Sequence, residues 1–125
     1  MYLRDIVLIR WNKLLMPTDK KRRVTPSREP EVLLDDLCNA LLTPSGREEM
    51  RNLLRDLCTP AELRTLAERW HVARLLDTTE MPYRDIHLAT GVSTTTIVRV
   101  GRFLRLEPHQ GYRRAIDTLG ARNAR

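Results

Sequence analysis

The chain is short of the residues from which most enzyme and secreted-protein signatures are built. Its 125 residues include only two cysteines, Cys38 and Cys58. These form no Cys-x-x-Cys pair, and His71, His87 and His109 are too scattered to complete a zinc site with them. They read as buried thiols of a reduced cytoplasm. Glycine is scarce as well, with five in all, and none stands in a phosphate-cradling loop pattern. No Ser-His-Asp set or metal-ligand cluster appears, so an enzyme reading has little to stand on. Long apolar runs are also missing. The opening "MYLRDIVLIRWNKLL" is broken by Arg4, Asp5, Arg10 and Lys13, which excludes a signal-peptide core, and no run approaches the roughly 20 apolar residues of a membrane span. The expectation is a soluble, cytoplasmic protein with no membrane partner, no metal and no resident cofactor.

Positive charge is what the chain has in excess. Twenty-two Lys and Arg against sixteen Asp and Glu leave a net +6 and a pI near 10.0, a balance that favours polyanionic partners, nucleic acid first. Part of that charge lies in "PTDKKRRVTPSREPE", residues 17–31, where three prolines and a basic tetrad stand among almost nothing apolar. Residues 1–31 therefore read as an N-terminal extension and basic arm, either following a phosphate backbone or serving as a solvated linker. Met16 is a second candidate start. Trp11 and Trp70 read as core or subunit interface.

From residue 32 the spacing becomes helical. Leu33, Leu34, Leu37 and Leu41 fall on one stripe, and Met50, Leu53, Leu54 and Leu57 on another. Between them "LTPSGRE" supplies Pro44, Gly46 and a Ser45-to-Glu48 capping box. The clearest element is "CTPAELRTLAERWHVARLL": Thr59 is its N-cap, Pro60 its first helical residue, and Glu62 closes the capping box. Leu63, Leu66, Ala67, Trp70 and Ala73 recur along it at helical steps, and it should end near Asp77. The last helix, within "EPHQGYRRAIDTLG", should turn Tyr112, Ala115, Ile116 and Leu119 inward. Residues 120–125 should fray.

One stretch resists this pattern. In "GVSTTTIVRVGRF", six of the seven residues from Thr94 to Val100 are β-branched, and β-branched side chains favour strands. Yet no strand candidate appears between residues 32 and 88, and a lone strand would leave its backbone groups unpaired. Helix propensities for these side chains differ by only a few tenths of a kcal/mol per residue. Context wins, and the stretch is expected to be helical. In "MPYRDIHLATGVSTTTIVRVGRFL", Pro82 then opens a short helix with Ile86 and Thr90 inward, and Gly91 supplies the positive φ of a tight turn. Val92 packs behind that turn, Ser93 caps the next helix, and Ile97, Val100 and Leu104 form its inner stripe. This is a helix-turn-helix over about 82–105. Its second helix suits a major groove, with Ser93, Thr94, Thr95, Thr96 and Val98 facing base edges. Arg84, Arg99, Arg102 and Arg105 lie near enough to meet phosphates, and His87 is either a further phosphate contact or a solvated surface residue.

The segments "LCTPAELRTLAERWHVARLL" and "TGVSTTTIVRVGRFL" resemble the Trp repressor superfamily, most closely its small TrpR-related YerC/YecD branch, over about residues 32–119. A "DLCT" before the long helix and a "TGxSTxTIxRV" recognition segment carry the likeness. The resemblance implies an all-α domain with a helix-turn-helix, assembled as an intertwined homodimer. It also implies three candidate effector positions, Thr59, Arg69 and Arg99, which match those that hold tryptophan in the Trp repressor. Val100 and Phe103 depart from that pattern by replacing a glycine and a serine. Their bulk fills space an indole needs, with Phe103 or Trp70 as a built-in plug. The function so implied is a sequence-specific regulator of transcription, a repressor acting on double-stranded DNA. The alternative is a dimeric protein-interaction module in which the helix-turn-helix is only a packing corner.

Overall fold

The computed structural model describes residues 25–124, and these form six α-helices with no strand among them. The readings made for residues 1–24, including Trp11 and Met16, lie outside the described residues. The chain divides into two units that meet between Thr43 and Pro44. In the first, α1 spans Pro30–Leu41 with proline in its first turn and Glu31 beside the positive end of the helix dipole. Its leucine stripe is as expected, but none of its side chains is buried.

The second unit holds the remaining five helices. α2, Arg47–Leu57, begins one residue later than its sequence suggested. Gly46 takes the N-cap position in an extended conformation, so the third helical residue is Glu49 rather than Glu48. The expected Ser45-to-Glu48 box is therefore absent. Instead the Ser45 N–H donates to Glu49 Oε2 at 2.9 Å, which holds the Glu49 carboxyl below the usual carboxylate range.

α3, Pro60–Thr78, starts on the expected box: the Glu62 N–H donates to Thr59 Oγ1 at 3.2 Å, and the Thr59 N–H to Glu62 Oε2 at 2.7 Å. Two orphan amide donors are satisfied at once. Only the second half of this helix is sealed, through Val72, Ala73 and Leu76. Of the stripe read from sequence, Ala73 is buried, Leu63 and Trp70 are half-buried, and Leu66 and Ala67 stay exposed.

α4, Tyr83–Thr90, and α5, Thr94–Arg105, complete the core. Ile86, Val92, Ile97, Val100 and Leu104 are each at most 5% exposed, and burying such a side chain is worth about 1.5–3 kcal/mol. Gly91 joins the two helices at φ 72°, a conformation that disfavours any side chain. α6, Gly111–Asn123, leans on this core through Tyr112 and Ile116. Ala115 and Leu119, expected inward, are exposed. The helix continues through residue 120, where fraying was expected, to Asn123. Arg113 pins it to α3 by a 2.7 Å bond to Asp77, and that carboxylate pushes the guanidinium's pKa further up.

Candidate nucleic-acid interface

α5 settles the conflict between local preference and context. Ser93 stands at its N-cap, where Oγ accepts the Thr96 N–H at 3.2 Å and the Ser93 carbonyl accepts the Ile97 N–H at 3.0 Å. These bonds start the helix. Burial of Ile97, Val100 and Leu104 then sustains it, since three apolar side chains at one-turn spacing outweigh the small propensity deficit of their neighbours.

Opposite that buried stripe lies a surface of small hydroxyls. Ser93, Thr94 and Thr95 are exposed and Thr96 is half-buried, its Oγ1 accepting from Ser93 Oγ at 3.0 Å. One turn on, Val98 stands 55% exposed. An apolar side chain on the outer face of a helix finds nothing within its own subunit, and a methyl-bearing partner suits it. Arg84 is exposed on α4. His87 is half-buried at the turn, with Nδ1 2.7 Å from the Val92 carbonyl oxygen. A bond to a carbonyl five residues on has no signature in sequence spacing.

The arginines divide. Arg102 pairs with Glu107 at 2.6 Å. Arg105 donates to the Leu76 carbonyl at 3.2 Å and lies 3.4 Å from the Tyr83 hydroxyl, so it closes the C-terminal end of α3. Arg105 is thus tied to the end of α3, while Arg102 remains on the surface, its side chain 64% exposed. Arg99 is exposed and its guanidinium carbon lies over the Phe103 ring, 4.3 Å from the centroid, a cation–π arrangement. His109 stacks alongside Phe103 at 6.1 Å.

Arg99, Val100, Phe103, His109, Gly111 and Tyr112 line a cleft of about 330 Å³. Of the three effector positions read from sequence, Arg99 alone lines it. Thr59 is engaged in the capping box of α3. Arg69 is half-buried with Nε sealed from solvent and without a partner among the described residues. Trp70 stacks on Tyr112 at 6.4 Å and is not among the residues lining the cleft.

Among the described residues no group of three His, Cys, Asp or Glu side chains is placed to hold a metal ion. No helix there is long and apolar enough to cross a membrane.

Comparison with known proteins places these elements in company. The family model described as Trp repressor protein matches residues 33–119. The uncharacterised protein YerC of Bacillus subtilis (strain 168) is 40% identical over 86 residues, covering 69% of this chain and 81% of YerC. A crystal structure of a candidate Trp repressor from Staphylococcus aureus superimposes with a TM-score of 0.65 at 32% identity, covering 82% of this chain and 94% of that one. That of a TrpR-like protein from Eubacterium eligens ATCC 27750 gives 0.65 at 35% identity, covering 70% and 89%.

Proposed function

Because the chain belongs to the Trp repressor family, we propose that it is a sequence-specific, double-stranded DNA-binding transcriptional regulator, a repressor that acts as a homodimer. One observation carries this reading: the leading turn of α5 is capped, solvent-facing and made of hydroxylated side chains, while the opposite face of the same helix is sealed in the core. A helix so mounted enters a major groove end-first. Thr94, Thr95 and Thr96 donate, accept and offer methyls to base edges, Ser93 faces the DNA beside them, and Val98 meets a thymine methyl. Arg84 and His87 contact phosphates from α4. Residues 32–119 form the DNA-binding domain, with 1–31 as a basic arm.

What one copy leaves open supports the homodimer. No side chain of α1, α2 or α6 is fully buried. On α3 and its approach, Leu57 and Leu66 are 49% and 46% exposed. Helices this short do not hold such surfaces in water unaided. A second copy covers them and places two reading helices about one turn of DNA apart.

DNA binding in this reading needs no small molecule. In this reading the bulk of Val100 and Phe103, which line the cleft with Arg99, crowds an indole, and titration with tryptophan is expected to give no binding heat. Selection of bound duplexes from a random pool tests the central assignment, with a symmetric motif of two half-sites as the expected result. Against the selected site, Thr95→Ala relaxes base preference, while Arg84→Ala weakens binding to all sequences alike. Absence of appreciable duplex affinity at low salt would instead leave the helix-turn-helix as a packing corner of a protein-interaction module.

A further inference from the structure

The turn between α4 and α5 is tied down by side chains of α4. Thr90 Oγ1 donates to the Ile86 carbonyl at 2.6 Å and accepts the Val92 N–H at 3.2 Å. His87 Nδ1 lies 2.7 Å from the Val92 carbonyl oxygen. Both backbone polar groups of Val92 are thereby fastened to the helix before the turn, immediately ahead of the cap that starts α5.

This fastening has a chemical consequence for the imidazole. A carbonyl oxygen only accepts, so Nδ1 must carry the hydrogen. The neutral ring is therefore held as its Nδ1–H tautomer, and Nε2 is left with a bare lone pair. Nε2 makes no hydrogen bond among the described residues and is not among their buried unpartnered atoms, so it reaches solvent. The next step rests on the DNA-binding reading above. In a helix-turn-helix the first helix crosses the sugar-phosphate backbone, and phosphate oxygens also only accept. An unprotonated Nε2 set against a phosphate opposes lone pair to lone pair. A protonated one makes a charge-assisted hydrogen bond.

We infer that His87 is a proton-linked phosphate contact: it keeps its Nδ1–H on the Val92 carbonyl and takes a proton from solvent onto Nε2 as the protein closes on duplex DNA. The other charged groups on the two helices that meet here are Arg84 and Asp85 on α4, and Arg99, Arg102 and Arg105 on α5; the first turn of α5, Thr94–Thr96, carries none. His87 in this role is also a positioning residue, since the bond that fixes its tautomer holds the approach to α5.

The test is fluorescence anisotropy of the full chain with a labelled duplex recovered from the selection, at constant ionic strength. The pH is lowered from about 8 to about 6, across which imidazoles titrate. The expected result is binding that tightens with acidification, approaching about tenfold per pH unit for each protomer engaged. His87→Asn keeps an amide N–H able to reach the Val92 carbonyl but cannot gain a proton. It is expected to bind with a flat profile at the affinity the natural chain shows at the alkaline end. His71→Gln and His109→Gln should keep the natural slope. Calorimetry of the unsubstituted protein in two buffers of different ionisation enthalpy reads the proton uptake without any variant. Binding that is independent of pH, or a slope retained in His87→Asn, overturns the inference and leaves the DNA-binding reading intact. Absence of duplex binding at every pH and at low salt removes that reading, and the inference with it.

Discussion

Replacing Gly101 by alanine sets two opposed effects against each other inside α5. In the interior of a helix the change from glycine to alanine gains about 1 kcal/mol in backbone entropy and propensity. At this position, however, the new Cβ would overlap Tyr83 Oη, sit 3.2 Å from Tyr83 Cζ and lie 3.6 Å from Leu76 Cδ1. The phenol has little room to retreat, because its ring packs on the core and its hydroxyl lies against Arg105. Overpacking of this kind costs about 1–3 kcal/mol, so Gly101→Ala should destabilise the protein by about 1 kcal/mol net. In a Tyr83→Ala background the obstruction is gone and the methyl meets Leu76 at an ordinary contact distance. There the same substitution should stabilise by about 1 kcal/mol, giving a coupling of about 2 kcal/mol. Urea unfolding followed by circular dichroism measures all four corners of this cycle. Protein concentration must be held fixed, because any subunit association adds a concentration-dependent term. An effect of the same sign in both backgrounds, with coupling below about 0.5 kcal/mol, would refute the reasoning.

Three further outcomes follow from other parts of the molecule. Thr59→Ala removes the N-terminal cap of α3 and should cost about 1 kcal/mol; thermal melts check it, and an unchanged midpoint would show that the capping box contributes nothing. Leu66→Glu places a charge on the open apolar face of α3, so sedimentation equilibrium should show a monomer where the unsubstituted chain is expected to run as a dimer; a dimer of unchanged affinity would put the interface elsewhere. Glu49, held below the usual carboxylate range by the Ser45 N–H, favours the folded state at neutral pH, and that contribution fades as pH falls through the lowered value. A carboxyl carbon titration by NMR that found Glu49 behaving as a free glutamate would contradict the bond.

What the chain showed on inspection was whatever is written locally. Thr59, Pro60 and Glu62 announce a helix start within four residues. Gly91 and Ser93 announce a turn and a new helix, and Ile97, Val100 and Leu104 recur at a spacing that only a helix can bury on one side. The strand-like run of threonines was resolved by the same means, since nothing nearby offered it a partner. Less legible was whatever depends on side chains meeting across elements. The choice of Gly46 over Ser45 as a cap turns on one extended residue. Arg102 and Arg105 look like phosphate ligands in sequence, yet Glu107 and the Leu76 carbonyl engage them. Leu119 and Ala115 fit an inward stripe on α6, but the core they would reach is already closed by Tyr112 and Ile116. His87 was singled out as a DNA-facing position without any hint that Val92 would decide which of its nitrogens carries the hydrogen.

Among the described residues the sealed interior runs from Val72 to Leu104, and this sets the order in which that part of the molecule comes apart. Amide protons in that span should be the last to exchange with heavy water, while those of the flanking helices exchange through openings that need not disturb it. The reading head thus carries its own cohesion. In the proposed dimer, loss of the outer helices would cost the assembly its second grip on a duplex before it cost either grip its shape.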